Sequence, residues 1–346
     1  MIVLLRHELI IMSTPVLTII VPTYNRSANL EILLKTLREE TKSLGQDVIV
    51  HVSDNCSPDD TAKIVAEIKK SWPELSSHRH NNNIGPDGNF LHAVGQVKTR
   101  WFWIIGDDDL PKRGVVAKIV ALLKMSQPSL LYMQSEWIKP VLDSSQGSQF
   151  SELSFLELDA AGFADSLHVW VTFISGMVVE KSALPEFVDE AYMRKFSDTN
   201  LIQLSWILPL LKTAGPFIFV NQKCILATKE NSGGYALLTV FGVNFAAIVK
   251  EILGKNSKIT KYLIRGNLFT FMPGLVWASR GMNSAFKKED PWVGMRKELG
   301  SYISFWFVLV PIGKFPRFIS ASFFLLWRIV NKAVNIYKAV LKEMVF

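Results

Sequence analysis

The sequence predicts an α/β protein built on a mostly parallel sheet flanked by helices, and three observations predict it. Residues 16–21 (VLTIIV), 48–53 (VIVHVS) and 101–105 (WFWII) are short apolar runs of the kind that fill buried strands. Stretches with helical periodicity lie between and after the first two runs. Each run ends in a polar cluster, at residues 23–26, 54–60 and 107–109. Strand–helix–strand order implies parallel pairing with right-handed crossovers. Sheets of that kind bind ligands at the carboxyl ends of their strands, which is where all three polar clusters fall.

Taken in order, residues 1–12 (MIVLLRHELIIM) hold an apolar run interrupted by Arg6, His7 and Glu8, with no small-residue cleavage site. They do not read as a signal peptide. They are an edge strand, or an extension ahead of a start at Met12. The first strand, 16–21, is closed by Pro22. Ser27 can cap a helix over residues 28–40, whose Leu30, Leu33, Leu34 and Leu37 share one face. The second strand, 48–53, ends in Asp54 and Asn55. Pro58, Asp59 and Asp60 then open a helix with Ile64, Val65 and Ile68 on one stripe.

Residues 81–90 (NNNIGPDGNF) have the composition of a loop with unusual backbone angles, or of a plain turn. Residues 130–134 (LLYMQ) continue the sheet, and 143–151 (DSSQGSQFS) form a polar excursion. Residues 168–180 (HVWVTFISGMVVE) read as an apolar strand or strand pair broken at Ser175 and Gly176. Ser197, Asp198 and Thr199 precede an apolar helix over 200–211. Residues 216–220 and 224–227 read as short strands, and 229–235 (KENSGGY) as a loop.

A chain of 346 residues is long enough for a large core or two domains. The net charge of +7 is uneven, since residues 301–346 hold six Lys and Arg residues against Glu343 alone. That pattern points to an anionic surface as the partner of the tail and to no nucleic acid. Cys56 and Cys224 are the only cysteines, with neither metal-ligand spacing nor a disulfide framework, as in a reducing cytosol. No G-x-G-x-x-G follows the first strand, which sets aside a nicotinamide-dependent dehydrogenase.

The most informative stretch is WFWIIGDDDLP, residues 101–111. Asp107, Asp108 and Asp109 follow Gly106 at the end of a buried strand, with no cation beside them in sequence. A divalent cation with oxygen ligands offsets such repulsion, and one that also holds a substrate diphosphate makes the cluster catalytic. A solvated acidic turn is the alternative.

Four segments occur in order at suitable spacing: TIIVPTYNR (18–26), VSDNCSPDDT (52–61), NNNIGPDGNF (81–90) and IIGDDD (104–109). Together they resemble the nucleotide-sugar domain of family 2 glycosyltransferases, which have the GT-A fold. The abequosyltransferase-like branch of bacterial O-antigen assembly is the nearest likeness. The resemblance implies a catalytic domain over 14–235, with a nucleotide-sugar half at 14–135 and an acceptor half at 136–235, followed by a helical region over 236–346.

It also implies a nucleotide diphosphate sugar donor, a Mn²⁺ or Mg²⁺ cofactor and inversion at the anomeric carbon. Pro22, Tyr24, Asn25 and Arg26 map to the nucleotide pocket, Asp54 to a carboxylate that reads the base, Asn55 and Asn89 to base and ribose, and Asn83 and Gly85 to the nucleotide-sugar site. Asp107 would lie near the ribose, and Asp108 and Asp109 would hold the metal. Lys229 would sit in a loop closing over the diphosphate. The commoner pattern is Asp-x-Asp-Asp, and Gly106 stands where its first Asp would be. Asp198 occupies the place of the general base, or serves as a helix N-cap. Asp165 and Glu180 are weaker candidates for the base.

In the tail, Phe323, Leu326, Trp327, Val330, Val334, Tyr337 and Leu341 form one stripe, with Arg328, Lys332, Lys338 and Lys342 away from it. A basic amphipathic helix of this kind, within residues 301–346, can lie on a membrane surface. It can instead pack on the catalytic domain or on a second subunit. The resemblance supplies an acceptor carried on polyprenyl diphosphate, which places the enzyme in the cytoplasm, peripheral on the inner face of the cell membrane. Two other readings are an inactive nucleotide-sugar-binding protein and a polysaccharide synthase subunit. The second needs several spanning helices of ~20 apolar residues each.

Overall fold

The computed structural model describes residues 14–138, 153–228, 236–281 and 289–344. The expectations for residues 1–12, for the excursion at 143–151, and for Lys229 in its loop at 229–235 lie outside the described residues.

The nucleotide-sugar half alternates strand and helix as expected. β1 (Leu17–Thr23), α1 (Ser27–Thr41), β2 (Val48–Asp54), α2 (Thr61–Ser71), β3 (Ser76–Arg79), α3 (Gly85–Gln96) and β4 (Trp101–Ile104) follow in order. β2, β3 and β4 join β1 in one parallel array, ordered β3-β2-β1-β4. Then come β5 (Leu110–Pro111), α4 (Val115–Ser126), β6 (Leu130–Ile138), β7 (Phe155–Leu158), α5 (Ala160–Leu167), β8 (Met177–Glu180), α6 (Glu190–Arg194), α7 (Leu204–Leu210) and β9 (Phe217–Thr228). Here the sheet becomes mixed: β8 runs antiparallel to both β4 and β6, and β9 is parallel to β6.

Each sheet face has its own core, because alternate residues of a strand point to opposite sides. Ile19, Val21, Trp101, Trp103, Leu131 and Met133 face α1, α2 and α4. Ile20, Phe102, Ile104, Leu130, Tyr132 and Met177 face the other way. Strands apolar on both faces explain the uninterrupted apolar runs in the sequence.

The second face is completed by α8 (Phe245–Leu253), α9 (Lys258–Gly266), α10 (Met272–Ser279), α11 (Trp292–Leu299) and α12 (Val310–Lys314). Their Phe245, Val249, Leu263, Val276, Leu299 and Ile312 share one core with the sheet residues. α13 (Arg317–Met344) runs from this layer. Among the described residues no helix is long and apolar enough to cross a membrane.

Four local expectations change. Ser27 is the first residue of α1 rather than its cap, and its N–H is taken by Asp59 Oδ2 at 2.8 Å. Residues 81–90 are only half loop, since Gly85, at φ +76°, starts α3. Residues 168–176 form two 3-10 turns, and only Met177–Glu180 is strand. A fully buried apolar run has no period to separate these outcomes. The two short strands at 216–220 and 224–227 are one long strand, β9, whose pairing with β6 shifts register near Met133 and Gln134.

Candidate active site

The carboxyl ends of β1, β2 and β4 meet at the mouth of a cleft of about 990 Å³. Pro22, Tyr24, Arg26, Asn55, Asn83 and Asn89 line it, together with Asp107, Asp108 and Asp109. Parallel pairing in register brings these loops together, with Thr23 opposite Asp54 and Ile20 opposite Ile104.

The three aspartates have different partners. Asp107 accepts from Thr23 Oγ1 at 2.7 Å and from Arg26 Nη1 at 2.9 Å. Arg26 Nη1 also lies 3.4 Å from Asp108 Oδ2. Asp109 accepts from Ser175 Oγ at 2.6 Å and from the Thr228 N–H at 3.1 Å. Ser175 Oγ in turn accepts from the Gly106 N–H at 2.9 Å. Ser175 can reach Asp109 because its neighbour Gly176 has no side chain: a Cβ there would stand 2.7 Å from Met133 O. Gly106 has a similar reason, since its Cβ would meet Asp108 Oδ1 at 3.1 Å and Asp109 Oδ2 at 3.3 Å. A first carboxylate, as in the commoner pattern, would make the Asp108 and Asp109 side chains give way.

Among the described residues, three neighbouring carboxylates face the Arg26 guanidinium in a buried place. Burial pushes the Asp107 pKa up to about 6, against the pull of Arg26 and Thr23. Burial, with Asp108 adding to it, pushes Asp109 up to about 7, against its bonds from Ser175 and Thr228. For Arg26, burial is outweighed by Asp107, Asp108 and Asp109, so its pKa rises. The carboxylate donor set is all oxygen, which fits a hard divalent cation.

Other expected residues take supporting positions. Asp54 does not line the cleft: it holds the Ser57 N–H at 2.8 Å and Arg79 Nη1 at 2.5 Å, with its side chain 5% exposed. Asn55 pins the Asn-rich loop, donating to Asn83 Oδ1 and Gly85 O and accepting from the Ile84 N–H. Asn89 donates to Ser53 O at 3.0 Å and accepts from Ser53 Oγ at 2.6 Å. Asn25 takes φ +56° so that its N–H reaches Ser57 Oγ, and neither it nor Gly85 lines the cleft.

Asp198 is exposed, at φ +63°, two residues before Asn200, which does line the cleft. It is not a helix cap, because α7 begins only at Leu204. Glu180 is held by Arg100 Nε at 2.7 Å and by Ser182, on the far end of β8.

Sequence reasoning missed three parts of the site. Asp87 lines the cleft, 7% exposed, and accepts the N–H of Asn200 at 3.2 Å. Burial raises its pKa against bonds from the Asn200, Ile202 and Asp198 N–H groups. Ser175, which in sequence only interrupts an apolar run, bridges the Gly106 N–H and Asp109. The opposite wall is aromatic, with Trp137 5.7 Å from Trp170, Trp137 5.3 Å from Phe173 and Phe241 5.1 Å from Phe271. Asp87 lay inside a quoted motif and could have been found there. The aromatics come from separate segments that carry no shared pattern.

Residues 18–184 match the model of the family described as glycosyl transferase family 2. Abequosyltransferase RfbV of Salmonella typhimurium is 36% identical over 90 residues, which are 26% of this chain and 27% of that protein. The GalNAc(5)-diNAcBac-PP-undecaprenol beta-1,3-glucosyltransferase of Campylobacter jejuni is 29% identical over 107 residues, 31% of this chain and 34% of that protein. The chain thus matches about a quarter to a third of the length of each curated relative. Among solved structures, S. aureus TarS 1-349 in complex with UDP-GlcNAc superposes with a TM-score of 0.57 at 16% identity, over 92% of this chain and 91% of that one. That likeness shows the fold, which is GT-A. The match to the glycosyl transferase family 2 model, over residues 18–184, takes in all of the strand-end edge of the cleft described above.

Proposed function

We propose that the protein is a glycosyltransferase that moves a sugar from a nucleotide diphosphate sugar to a lipid-linked glycan, in cell-surface polysaccharide assembly. The observation that carries this is the Asp107–Asp108–Asp109 cluster, with Arg26, at the strand-end mouth of a cleft large enough for a nucleotide sugar. The relatives' names agree in chemistry: one transfers abequose, the other glucose to an undecaprenyl diphosphate glycan.

The half-exposed Tyr24, with the buried Pro22 beside it in the cleft lining, offers a flat surface to the nucleotide base. Asp54 acts from behind, by fixing the turn that carries Asn55. Arg26 faces the diphosphate, where its positive charge stabilises the leaving group. Asp108 and Asp109 would hold Mg²⁺ or Mn²⁺, which supplies further charge stabilisation when bound. The aromatic wall suits the apolar faces of sugar rings on the acceptor side.

An inverting displacement needs a base for the acceptor hydroxyl, and Asp198 is the proposed one. Asp198 and Asn200 both hold positive φ without being glycine, and strained backbone of this kind gathers at working sites. Asp198→Asn should lower turnover at least about 100-fold while donor binding is kept. Turnover within about threefold of wild type would remove Asp198 from the mechanism. A thermal-shift screen of nucleotide sugars with Mn²⁺ tests the reading as a whole. A donor that shifts melting and is then consumed with acceptor supports transfer, and a donor bound but never consumed supports a binding protein.

A lipid-linked acceptor requires approach to a membrane. Phe307, Phe318, Leu325, Leu326 and Ile329 are exposed, and Arg317, Arg328 and Lys332 are exposed beside them. An anionic lipid surface is the proposed occupant of this face.

A further inference from the structure

A second cluster of chemically capable side chains lies outside the cleft, between the edge strand and α3. β3 presents His78 and His80 on one face, since alternate residues share a side. The ladder continues past the strand's end, with the His80 N–H donating to Asp54 O at 2.9 Å. Arg79, between them, points to the other face and holds Asp54. α3 lies over the histidine face and contributes His92. The three imidazoles gather with ring centroids 4.4 to 4.7 Å apart. One ring nitrogen from each can be chosen so that all lie within 4.8 Å of one another.

Two details favour a ligand over simple ring packing. His92 Nδ1 is buried with no hydrogen-bond partner, a condition that buried polar atoms seldom tolerate. His80 Nε2 lies 3.2 Å from Asn89 Oδ1. That oxygen only accepts, so His80 carries its proton on Nε2 and leaves the Nδ1 lone pair free. An acceptor behind the ring that fixes the tautomer in this way is a recurring feature of metal-bound histidine.

We propose that His78, His80 and His92 bind one transition-metal cation of the Zn²⁺ class, in a site separate from the acidic edge of the cleft. All-imidazole donors suit Zn²⁺, Co²⁺, Ni²⁺ or Cu²⁺ and do not suit Mg²⁺. Tetrahedral binding at about 2.1 Å puts nitrogens about 3.4 Å apart, so the three imidazoles would draw together by small side-chain rotations from their spacing of up to 4.8 Å. Three ligands leave one position to water. The ion would clamp β3 onto α3. Through His80 and Asn89 it would also steady Ser53 and the floor of the donor cleft, so its expected role is to stiffen the nucleotide-binding half.

The test uses the untagged full chain, stripped with chelator. Zn²⁺ near 100 times its dissociation constant should raise melting by about 5 °C or more, and Mg²⁺ should not reproduce this. Co²⁺ should give the visible absorption of a tetrahedral centre, at one ion per chain. His78→Gln with His92→Gln should melt like the stripped wild type and lose both responses. Asp108→Asn with Asp109→Asn should keep both. No Zn²⁺ shift in wild type, or the same shift in the double histidine variant, overturns the proposal. If the double variant fails to fold, His78→Gln alone, at an exposed position, must weaken Co²⁺ binding at least about tenfold, and unchanged binding overturns the proposal equally.

Discussion

The strand-end edge of the cleft and the aromatic wall facing it are held together by different forces. On the edge, polar groups are fixed one by one: Asp107 by Thr23 and Arg26, Asp109 by Ser175 and Thr228, Asn89 by Ser53. Each depends on an angle and a distance, so each demands a particular residue. The wall is made of rings in tilted and T-shaped contact, drawn from β6, the 3-10 turns and the later helices. Such contacts depend on area and shape, which several residue types supply. The contrast suggests that donor chemistry is rigidly specified, while acceptor choice is open to variation in shape.

The sharpest way to break the contrast is to neutralise the edge. Asp108→Asn with Asp109→Asn should reduce transfer at least about 100-fold, because the proposed diphosphate and metal contacts go together. The fold should survive, since removing buried negative charge costs little. Circular dichroism and melting would check the fold, and a radiolabelled transfer assay the activity. Full activity in the double variant, or in excess chelator, would end the metal-assisted reading.

The same contrast explains what could be read in the sequence. The edge was legible because its constraints are local: GDDD, the Thr-Tyr-Asn-Arg turn and the Asn-rich segment each sit within a few residues. The order β1–α1–β2–α2 followed from apolar periodicity for the same reason. For Asp54 the sequence shows a carboxylate at a strand end but not that Arg79, 25 residues on, donates to it. The 168–176 segment was misread because burial on all sides erases periodicity. In α13 the expected stripe divides. Phe323 and Trp327 pack on the core, and Trp277 stacks on Phe324 at 4.8 Å, while Leu326 and Val330 remain exposed. Sequence gives the helix but not the angle at which it meets the domain.

Asp87 joins the two sides, since it belongs to α3 yet holds the 198–202 loop. Asp87→Ala should leave buried N–H groups without acceptors and cost about 2 kcal/mol, read as a lower melting temperature. Asp87→Asn keeps one acceptor oxygen and should recover part of the loss. If Asp87→Ala melts like wild type, the loop is held by its packing instead.

Gly106 tests how tightly the edge is specified. The Cβ of Gly106→Ala would press on the Asp108 and Asp109 oxygens at 3.1 and 3.3 Å. The expected cost is about 1 kcal/mol, because side-chain tips can shift by a few tenths of an ångström. Gly106→Asp adds a like charge and should melt lower still, with no gain in transfer despite matching the commoner pattern. Higher activity in Gly106→Asp would mean that the edge tolerates a fourth carboxylate.

The smallest effect on stability is expected on the outer face of the tail, and it separates packing from docking. Phe305, Leu309 and Ile312 are buried in the core, so cutting the chain near residue 301 would damage the fold as well as any surface contact. Point changes avoid this. Phe318→Ser, Leu325→Ser and Ile329→Ser alter side chains 76%, 57% and 60% exposed. Stability, read by melting, should hold within about 1 kcal/mol of wild type, while co-sedimentation with anionic phosphatidylglycerol vesicles should fall severalfold. Binding should also weaken with salt, because the exposed Arg328 and Lys332 act through screened charge. If the triple variant sediments with vesicles as wild type does, the exposed apolar face has another occupant, and a second copy of the chain becomes the surface to test.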